Sequence, residues 1–307
     1  MIRAAPQRDA IGHAWLGNCS FAFRDVPRSD QLSGFSFLFA DLTGYMSTSG
    51  ASSWEGMLSA SHFGKWLCPA TAALDIGAAF GDTSVPMAAA AGAGGLVIAF
   101  EVNPSAHIAA VSQAALNRGH GLNLLPLNIG ATDQPGGKTL SGRRGGLRRL
   151  VHVPSLLADR FAGVPPHLSF IKIDVDGIDA ALIHSMGPLL MCRPDCRRRP
   201  VIKVEWGAAA RRAGCGKESL QLWEAASSIN YTVYAVDGLT ALPSCAAARR
   251  IASRPIGSYR GNGLLADLIM LPVGVSTANR MDFCPPSLPP AALAAVPSLP
   301  TPMGSLP

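Results

Sequence analysis

Lysine, aromatic residues and unbroken apolar runs are all scarce in this chain, and each scarcity narrows what it does. Only five of the 26 basic residues are lysine; the arginines gather at Arg143-Arg144, Arg148-Arg149, Arg197 to Arg199, Arg211-Arg212 and Arg249-Arg250. With a net charge of +6 these clusters could meet an anionic partner. Aromatic residues are only 7% of the chain, and no stacking surface or recognition motif accompanies the arginines, so no nucleic-acid partner is expected. Ala, Gly, Pro and Arg are abundant together, which a GC-rich coding sequence gives without selection for binding.

The longest apolar run, Thr83 to Phe100, is broken by Pro86 and by Gly92-Ala-Gly94-Gly95. It divides into a helix over about 82–91 and a strand over 96–100, so no transmembrane segment is expected. The N-terminus lacks the continuous apolar core of a secretory signal, while an organelle transit role for it stays open. Seven cysteines, an odd number without framework spacing, suit a reducing compartment, and a cytoplasmic location is expected. Cys192, Cys196 and Cys215 have neither a second close pair nor a nearby histidine at ligand spacing, so no metal site is expected.

What the chain does have is a large apolar fraction, 48% of 307 residues, and a regular alternation of strand and helix patterns. Strands are expected at 70–76, 96–101, 122–128, 150–153, 169–174, 200–206, 231–236 and 264–271. Helices are expected at 82–91, 105–118, 155–162, 178–190 and 217–228, with a Gly- and Arg-rich loop over 130–149. This alternation predicts an α/β fold with a mainly parallel, doubly wound sheet. Residues 1–50 read as an N-terminal extension in which Phe35 to Leu42 could form a strand. Ser52-x-x-Glu55 is a capping box that predicts a helix before the first core strand. The main domain is expected over 51–274, followed by a Pro-rich disordered tail over 275–307 that should be dispensable.

The run Asp75-Ile-Gly77-Ala-Ala-Phe-Gly81-Asp82 leaves an apolar strand, turns on two glycines and enters a helix, as a nucleotide-cofactor loop does. Glu101 lies 24 residues after Gly77 at the tip of the second strand, where an acid can accept hydrogen bonds from both ribose hydroxyls. Asp75 and Asp82 flank the turn. Carboxylates there would repel pyrophosphate at the helix N-terminus but would suit a cationic nucleoside without phosphate. S-adenosyl-L-methionine, with its sulfonium, ammonium and free ribose, is therefore favoured over NAD or ATP. A second acidic turn, Asp174-Val-Asp176-Gly177-Ile-Asp179, follows the strand Phe170 to Ile173, and Val201-Ile-Lys203-Val-Glu205 ends another strand in an acid. The spacing of the acids does not fit a calcium loop. Capping of the following helix is the alternative reading of Asp176. Lys172 is expected to pair with Glu205 on the neighbouring strand as a structural ion pair.

Taken in order, Leu74-Asp75-Ile-Gly77-Ala-Ala-Phe-Gly81, Ala99-Phe100-Glu101-Val-Asn103-Pro104, Phe170-Ile-Lys172-Ile-Asp174-Val-Asp176-Gly177-Ile-Asp179, Val201-Ile-Lys203-Val-Glu205 and Asn230-Tyr231-Thr-Val-Tyr234 resemble the FkbM-type S-adenosylmethionine-dependent methyltransferases over about 70–272. The resemblance implies a Rossmann-like class I methyltransferase sheet of seven strands, the last antiparallel. It also implies donor contacts on Asp75, Gly77, Gly81, Glu101 and Asn103, and O-methylation of a hydroxyl on a small molecule, sugar or lipid. Asn128 or Asp133 could contact adenine. The family usually carries glutamate where Asp176 and Asp179 stand, so each acid is one methylene shorter here. Asp174 is the first candidate for general base, provided that partial burial raises its pKa, and Asp176 the second. Two other readings stand beside this one: an NAD-dependent oxidoreductase on the same sheet, and a non-catalytic binding module of methyltransferase ancestry.

Overall fold

The computed structural model describes residues 12–16, 19–26, 35–40, 63, 65–141, 147–175, 177–190, 198–206, 215–235, 240–252, 267–275 and 284–295. Three strands, β1 (Gly12–Leu16), β2 (Cys19–Val26) and β3 (Phe35–Ala40), pair antiparallel in that order. The central sheet begins with β4 (Ala72–Ile76), helix α1 (Ser84–Ala91), β5 (Leu96–Phe100), α2 (Pro104–Asn117) and β6 (Leu124–Leu127). A smaller sheet of β7 (Gly130–Thr132), β8 (Lys138–Ser141) and β9 (Leu147–His152) intervenes. After α3 (Val153–Arg160) the chain returns to the central sheet with β10 (Leu168–Ile173), α4 (Asp179–Ser185), α5 (Gly187–Leu190) and β11 (Val201–Glu205). It finishes with α6 (Lys217–Ser228), β12 (Tyr231–Ala235), α7 (Cys245–Ala252), β13 (Asp267–Pro272) and α8 (Pro290–Ala294).

The central strands lie in the order β12-β13-β11-β10-β4-β5-β6. Only β13 runs antiparallel to its neighbours, giving the expected seven-stranded, Rossmann-like doubly wound sheet. Every residue of β4, β5 and β10 is buried, because helices cover both faces and no strand residue meets water. The period of two sends Leu74, Ile76, Ile98, Phe100 and Ile171 into one apolar layer, and Ala73, Val97, Ala99 and Phe170 into the other. Alanines dominate where α1 packs on that second layer. Every residue of α1 is buried, as expected of a helix apolar on all sides, with β3 against both α1 and α2. Strand order reverses between β4 and β10, so the carboxyl ends of these two strands flank the switch point where open α/β sheets place their sites.

Four expectations change. The segment 130–149 was expected to be a loop; it forms β7, β8 and the start of β9, anchored by Leu150 and Val151, which are buried beyond an exposed outer half with no alternation to read. The helix expected over 178–190 breaks at Met186, and α5 starts afresh at Gly187-Pro188. The tail expected to be disordered is packed over 284–295: Leu288 is 5% exposed within the larger apolar layer, and its N–H donates to the Ala70 carbonyl at 2.6 Å. His167 Nδ1 donates to the Pro286 carbonyl at 2.9 Å. Finally, Cys68 bonds Cys284 and Cys215 bonds Cys245, each pair with Cα atoms 5.7 Å apart, so four of the seven cysteines are not free thiols and the ground for a reducing compartment falls away. The pairing of residues 216 positions apart is set by the fold and has no signature in spacing. The capping-box helix before the first core strand and the tail beyond residue 295 lie outside the described residues. Among those described, no helix is long and apolar enough to cross a membrane.

Candidate functional site

The glycine turn begins where β4 and β10 exit the sheet side by side. Gly77 has φ +82°, and a Cβ added there would stand 1.9 Å from the Asp174 carbonyl oxygen. The glycine is thus required first by the backbone of β10. The N–H groups of Gly77 and Ala78 both donate to the Phe100 carbonyl at 3.0 Å, tying the turn to the end of β5. Ala79 holds φ +45° without being glycine, a conformation that costs energy and persists only where its surroundings fix it. What fixes it is its N–H, which donates to Glu101 Oε2 at 2.9 Å. The other Glu101 oxygen accepts from the Asn103 N–H at 2.6 Å. Burial pushes the Glu101 carboxyl above the ordinary range, against the pull of those two N–H groups.

Beneath the turn lies a buried charge cluster. Parallel register sets Lys172 on β10 directly across from Asp75 on β4. Lys172 Nζ donates to the Gly77 carbonyl at 2.6 Å and lies 3.3 Å from Asp75 Oδ1 and 3.1 Å from Asp174 Oδ2. Burial by itself would push the ammonium pKa down, but Asp75, Asp174 and Asp82 outweigh it, so the pKa is raised and the lysine stays charged. Asp75 is fully buried. Its Oδ2 accepts from Thr83 Oγ1 at 2.7 Å and Ser84 Oγ at 2.6 Å, which fastens the start of α1 to the strand. Its Oδ1 is within ion-pair range of Lys172 but makes no hydrogen bond. Asp75 therefore supports the turn from below, and Thr83 and Ser84, adjacent hydroxyls at a helix start, are its partners.

Asp174 sits at the rim, with its side chain 38% exposed. Burial pushes its carboxyl up, but Lys172, a hydrogen bond with the Glu205 side chain and the charge of Lys203 together hold it below the ordinary range. The condition set for Asp174 as general base, a pKa raised by burial, is not met: Lys172, Glu205 and Lys203 together outweigh burial. Lys172 is aimed at Asp75 and Asp174, and Glu205 meets Asp174 itself. Asp82, partly exposed beside the turn, has its carboxyl pushed up to about 6 by burial, with Lys172 opposing and Asp75 reinforcing the shift. Asp179 opens α4, and its Oδ1 accepts from the Val175 N–H at 3.1 Å, closing the second acidic turn; burial raises its carboxyl.

Asn103 caps α2, its Oδ1 accepting from the Ser105 N–H at 3.1 Å. Asn128 Nδ2 donates to the Glu101 carbonyl at 2.9 Å, so it steadies the backbone that carries the acid. Gly81 has φ +84°, and a Cβ there would make only an ordinary contact with Gln113, so its requirement is conformational. Asp176 lies outside the described residues. The structure thus gathers Asp75, Gly77, Glu101 and Asp174 around one turn with Asp82 and Glu205, while Asn103 and Asn128 are committed to backbone groups beside it. Among the described residues no group of three or more ligating side chains is placed to hold a metal ion.

No family model matches this chain, and no curated protein matches it either. Solved structures do. The FkbM methyltransferase from Methylobacillus flagellatus KT aligns at 13% identity over 44% of this chain with a TM-score of 0.34, and the match spans 32% of that protein's length. The fibrillarin of Aeropyrum pernix, crystallised with natively bound S-adenosyl-L-methionine, aligns at 14% identity over 59% of this chain and 68% of its own, TM-score 0.35. A precorrin-6y C5,15-methyltransferase from Geobacter metallireducens aligns at 16% identity over 59% and 71%, TM-score 0.36. Likenesses this distant carry no weight for activity, and the fold assignment rests on the strand order.

Proposed function

We propose that this chain is an S-adenosyl-L-methionine-dependent methyltransferase acting on a hydroxyl of a small molecule, sugar or lipid. The observation that carries the reading is Glu101. Each of its oxygens accepts one backbone N–H, from the glycine turn on one side and the start of α2 on the other, and each keeps a lone pair for a ribose hydroxyl. The surroundings fit a cation. Asp75, Asp82, Glu101, Asp174 and Glu205 cluster about the buried Lys172, whose charge is engaged by Asp75 and Asp174. An acid just ahead of α1 is wrong for a dinucleotide, because pyrophosphate would meet Asp82 where it needs free N–H groups and a positive helix end.

When bound, the donor would supply a methyl group on a positively charged sulfur. The chain's own task is then to align the acceptor and take its proton. Gly77 and Gly81 give the turn its path, Glu101 would hold the ribose, and Asn103 and Asn128 would fix the backbone around it. Asp174, held in its anionic form by Lys172, would receive the hydroxyl proton. A low pKa makes it a weak base toward a free alcohol, but the alcohol grows more acidic as its oxygen bonds to carbon, so the transfer runs late in the same step. Asp176 is the second candidate for this role.

Calorimetric titration tests the reading. S-adenosyl-L-methionine should bind, NAD should not, and Glu101→Ala should weaken donor binding by about 1.5–3 kcal/mol, the worth of hydrogen bonds to a charged group. Unchanged donor affinity in that variant would remove Glu101 from the site and the reading with it.

A further inference from the structure

The hairpin of β8 and β9 has no part in the site chemistry, yet it is strongly basic. Residues 136–150 contain five basic residues, Lys138, Arg143, Arg144, Arg148 and Arg149, and no carboxylate. Every described position of the outer hairpin is exposed, from Lys138 to Ser141 and from Leu147 to Arg149. Among them stand two leucines, Leu147 at 79% and Leu140 at 43% exposure. Antiparallel register sets Leu140 opposite Arg148 and Leu147 opposite Ser141, so each face of the ribbon carries one leucine and at least one arginine. Among the described residues, Lys138, Arg148 and Arg149 make no ion pair.

The base of the hairpin is packed against the rest of the fold. Leu150 and Val151 are buried, and a Cβ at Gly137 would stand 2.7 Å from the Leu150 carbonyl. β7, which pairs with β9, follows β6 after two residues, and a Cβ at its Gly130 would stand 3.1 Å from Val102, the neighbour of Glu101. The ribbon therefore springs from the same carboxyl edge of the sheet as the candidate site. Charge alone has a simple purpose, since basic residues on an edge strand discourage pairing between molecules. That purpose does not call for exposed leucines at the same positions, and an apolar side chain held outward among cations is the pattern of an interfacial anchor.

We propose that the β8–β9 hairpin docks this protein onto an anionic lipid surface, with Leu147 entering the acyl boundary on the face it shares with Arg149, and Lys138, Arg148 and Arg149 meeting the headgroups. A nucleic acid would be met by the same cations, but the ribbon has no aromatic side chain on which bases could stack. Each basic residue near an anionic leaflet multiplies partitioning by roughly fivefold at low salt. The docked orientation faces the carboxyl edge of the sheet toward the bilayer.

Flotation of the full chain with phosphatidylcholine vesicles, with and without phosphatidylglycerol, tests this. The protein should float with the mixed vesicles only, and high salt should release it. Arg148→Glu with Arg149→Glu should reduce the bound fraction by more than tenfold, and Leu147→Ser should reduce it severalfold with an unchanged circular dichroism spectrum. Lys138→Glu serves as a second charge reversal should the double variant fold poorly. Equal flotation with neutral vesicles, no flotation at all, indifference to Leu147→Ser, tighter binding to single-stranded RNA than to the mixed vesicles at equal salt, or a dimer in solution that Leu147→Ser dissociates would each overturn the proposal.

Discussion

Strands β10 and β11 carry almost the same phrase, Ile171-Lys172-Ile173-Asp174 and Ile202-Lys203-Val204-Glu205, and the two lysines stand directly opposite each other in register. Both are nearly buried. Their partners differ. Lys172 neighbours β4 at the switch point and meets Asp75, Asp174 and the Gly77 carbonyl, so it stitches two strands and the glycine turn together. Lys203 neighbours the reversed strand β13 and pairs with Asp267 at 3.0 Å, where the aspartate is 25% exposed and keeps water. The same side chain thus holds the glycine turn directly, or makes a local ion pair and acts on Asp174 by its charge alone, according to the direction of the strand beside it. A parallel neighbour delivers a carboxyl end with a turn to be held, while an antiparallel neighbour delivers the start of a strand.

The sharpest way to break this contrast is to remove each cation. Lys172→Met leaves Asp75 buried with nothing to balance it, and chemical denaturation should report a loss of about 3–5 kcal/mol. A loss no larger than that of Lys203→Met would mean that the two lysines are equivalent after all. The acids they hold should separate by activity: Asp174→Asn should lower turnover on the order of 100-fold with donor affinity kept, whereas Asp267→Asn should leave turnover alone. Full turnover in the Asp174 variant, once an acceptor is found, would pass the base role to Asp176 or to a group on the substrate.

A pH experiment sharpens the picture on the Lys172 side. The Asp82 carboxyl is raised from 3.8 to about 6, so between these values the folded protein holds a proton that the unfolded chain has released. Stability contributed by this group therefore falls as pH rises through that window, then levels off. Asp82→Asn should remove the slope and be more stable than the wild type above neutrality by on the order of 1–2 kcal/mol, read from denaturation midpoints at several pH values. A wild type with no such slope would place Asp82 in water. The smallest effect is expected for Lys203→Met, about 1 kcal/mol, because Asp267 can turn to solvent.

Much of the fold was legible because parallel strands buried on both faces read as short apolar runs, as in Leu96 to Phe100 and Phe170 to Ile173. The meeting of Asp75, Glu101 and Asp174 also followed from strand ends alone. The role of Gly77 was legible as a turn but not as a contact, since the carbonyl that forbids its Cβ belongs to Asp174, almost a hundred residues away. The sign of the Asp174 shift was missed for a related reason. Lys172 is two positions before it, so both reach the same side of the sheet, but Glu205 and Lys203, which complete the shift, come from the neighbouring strand β11. The β8–β9 hairpin was hidden because its outer half buries nothing and leaves no periodic trace.

Leu288 also sets an order of events. It fills a place in the apolar layer beneath the first core strand, and its N–H answers the Ala70 carbonyl just ahead of β4. A ribosome delivers β4 early and Leu288 only after all seven central strands, so throughout synthesis the floor of the layer lies open. Leu288 is thus the last piece of this layer to be made, and the layer can close only once the chain is nearly complete.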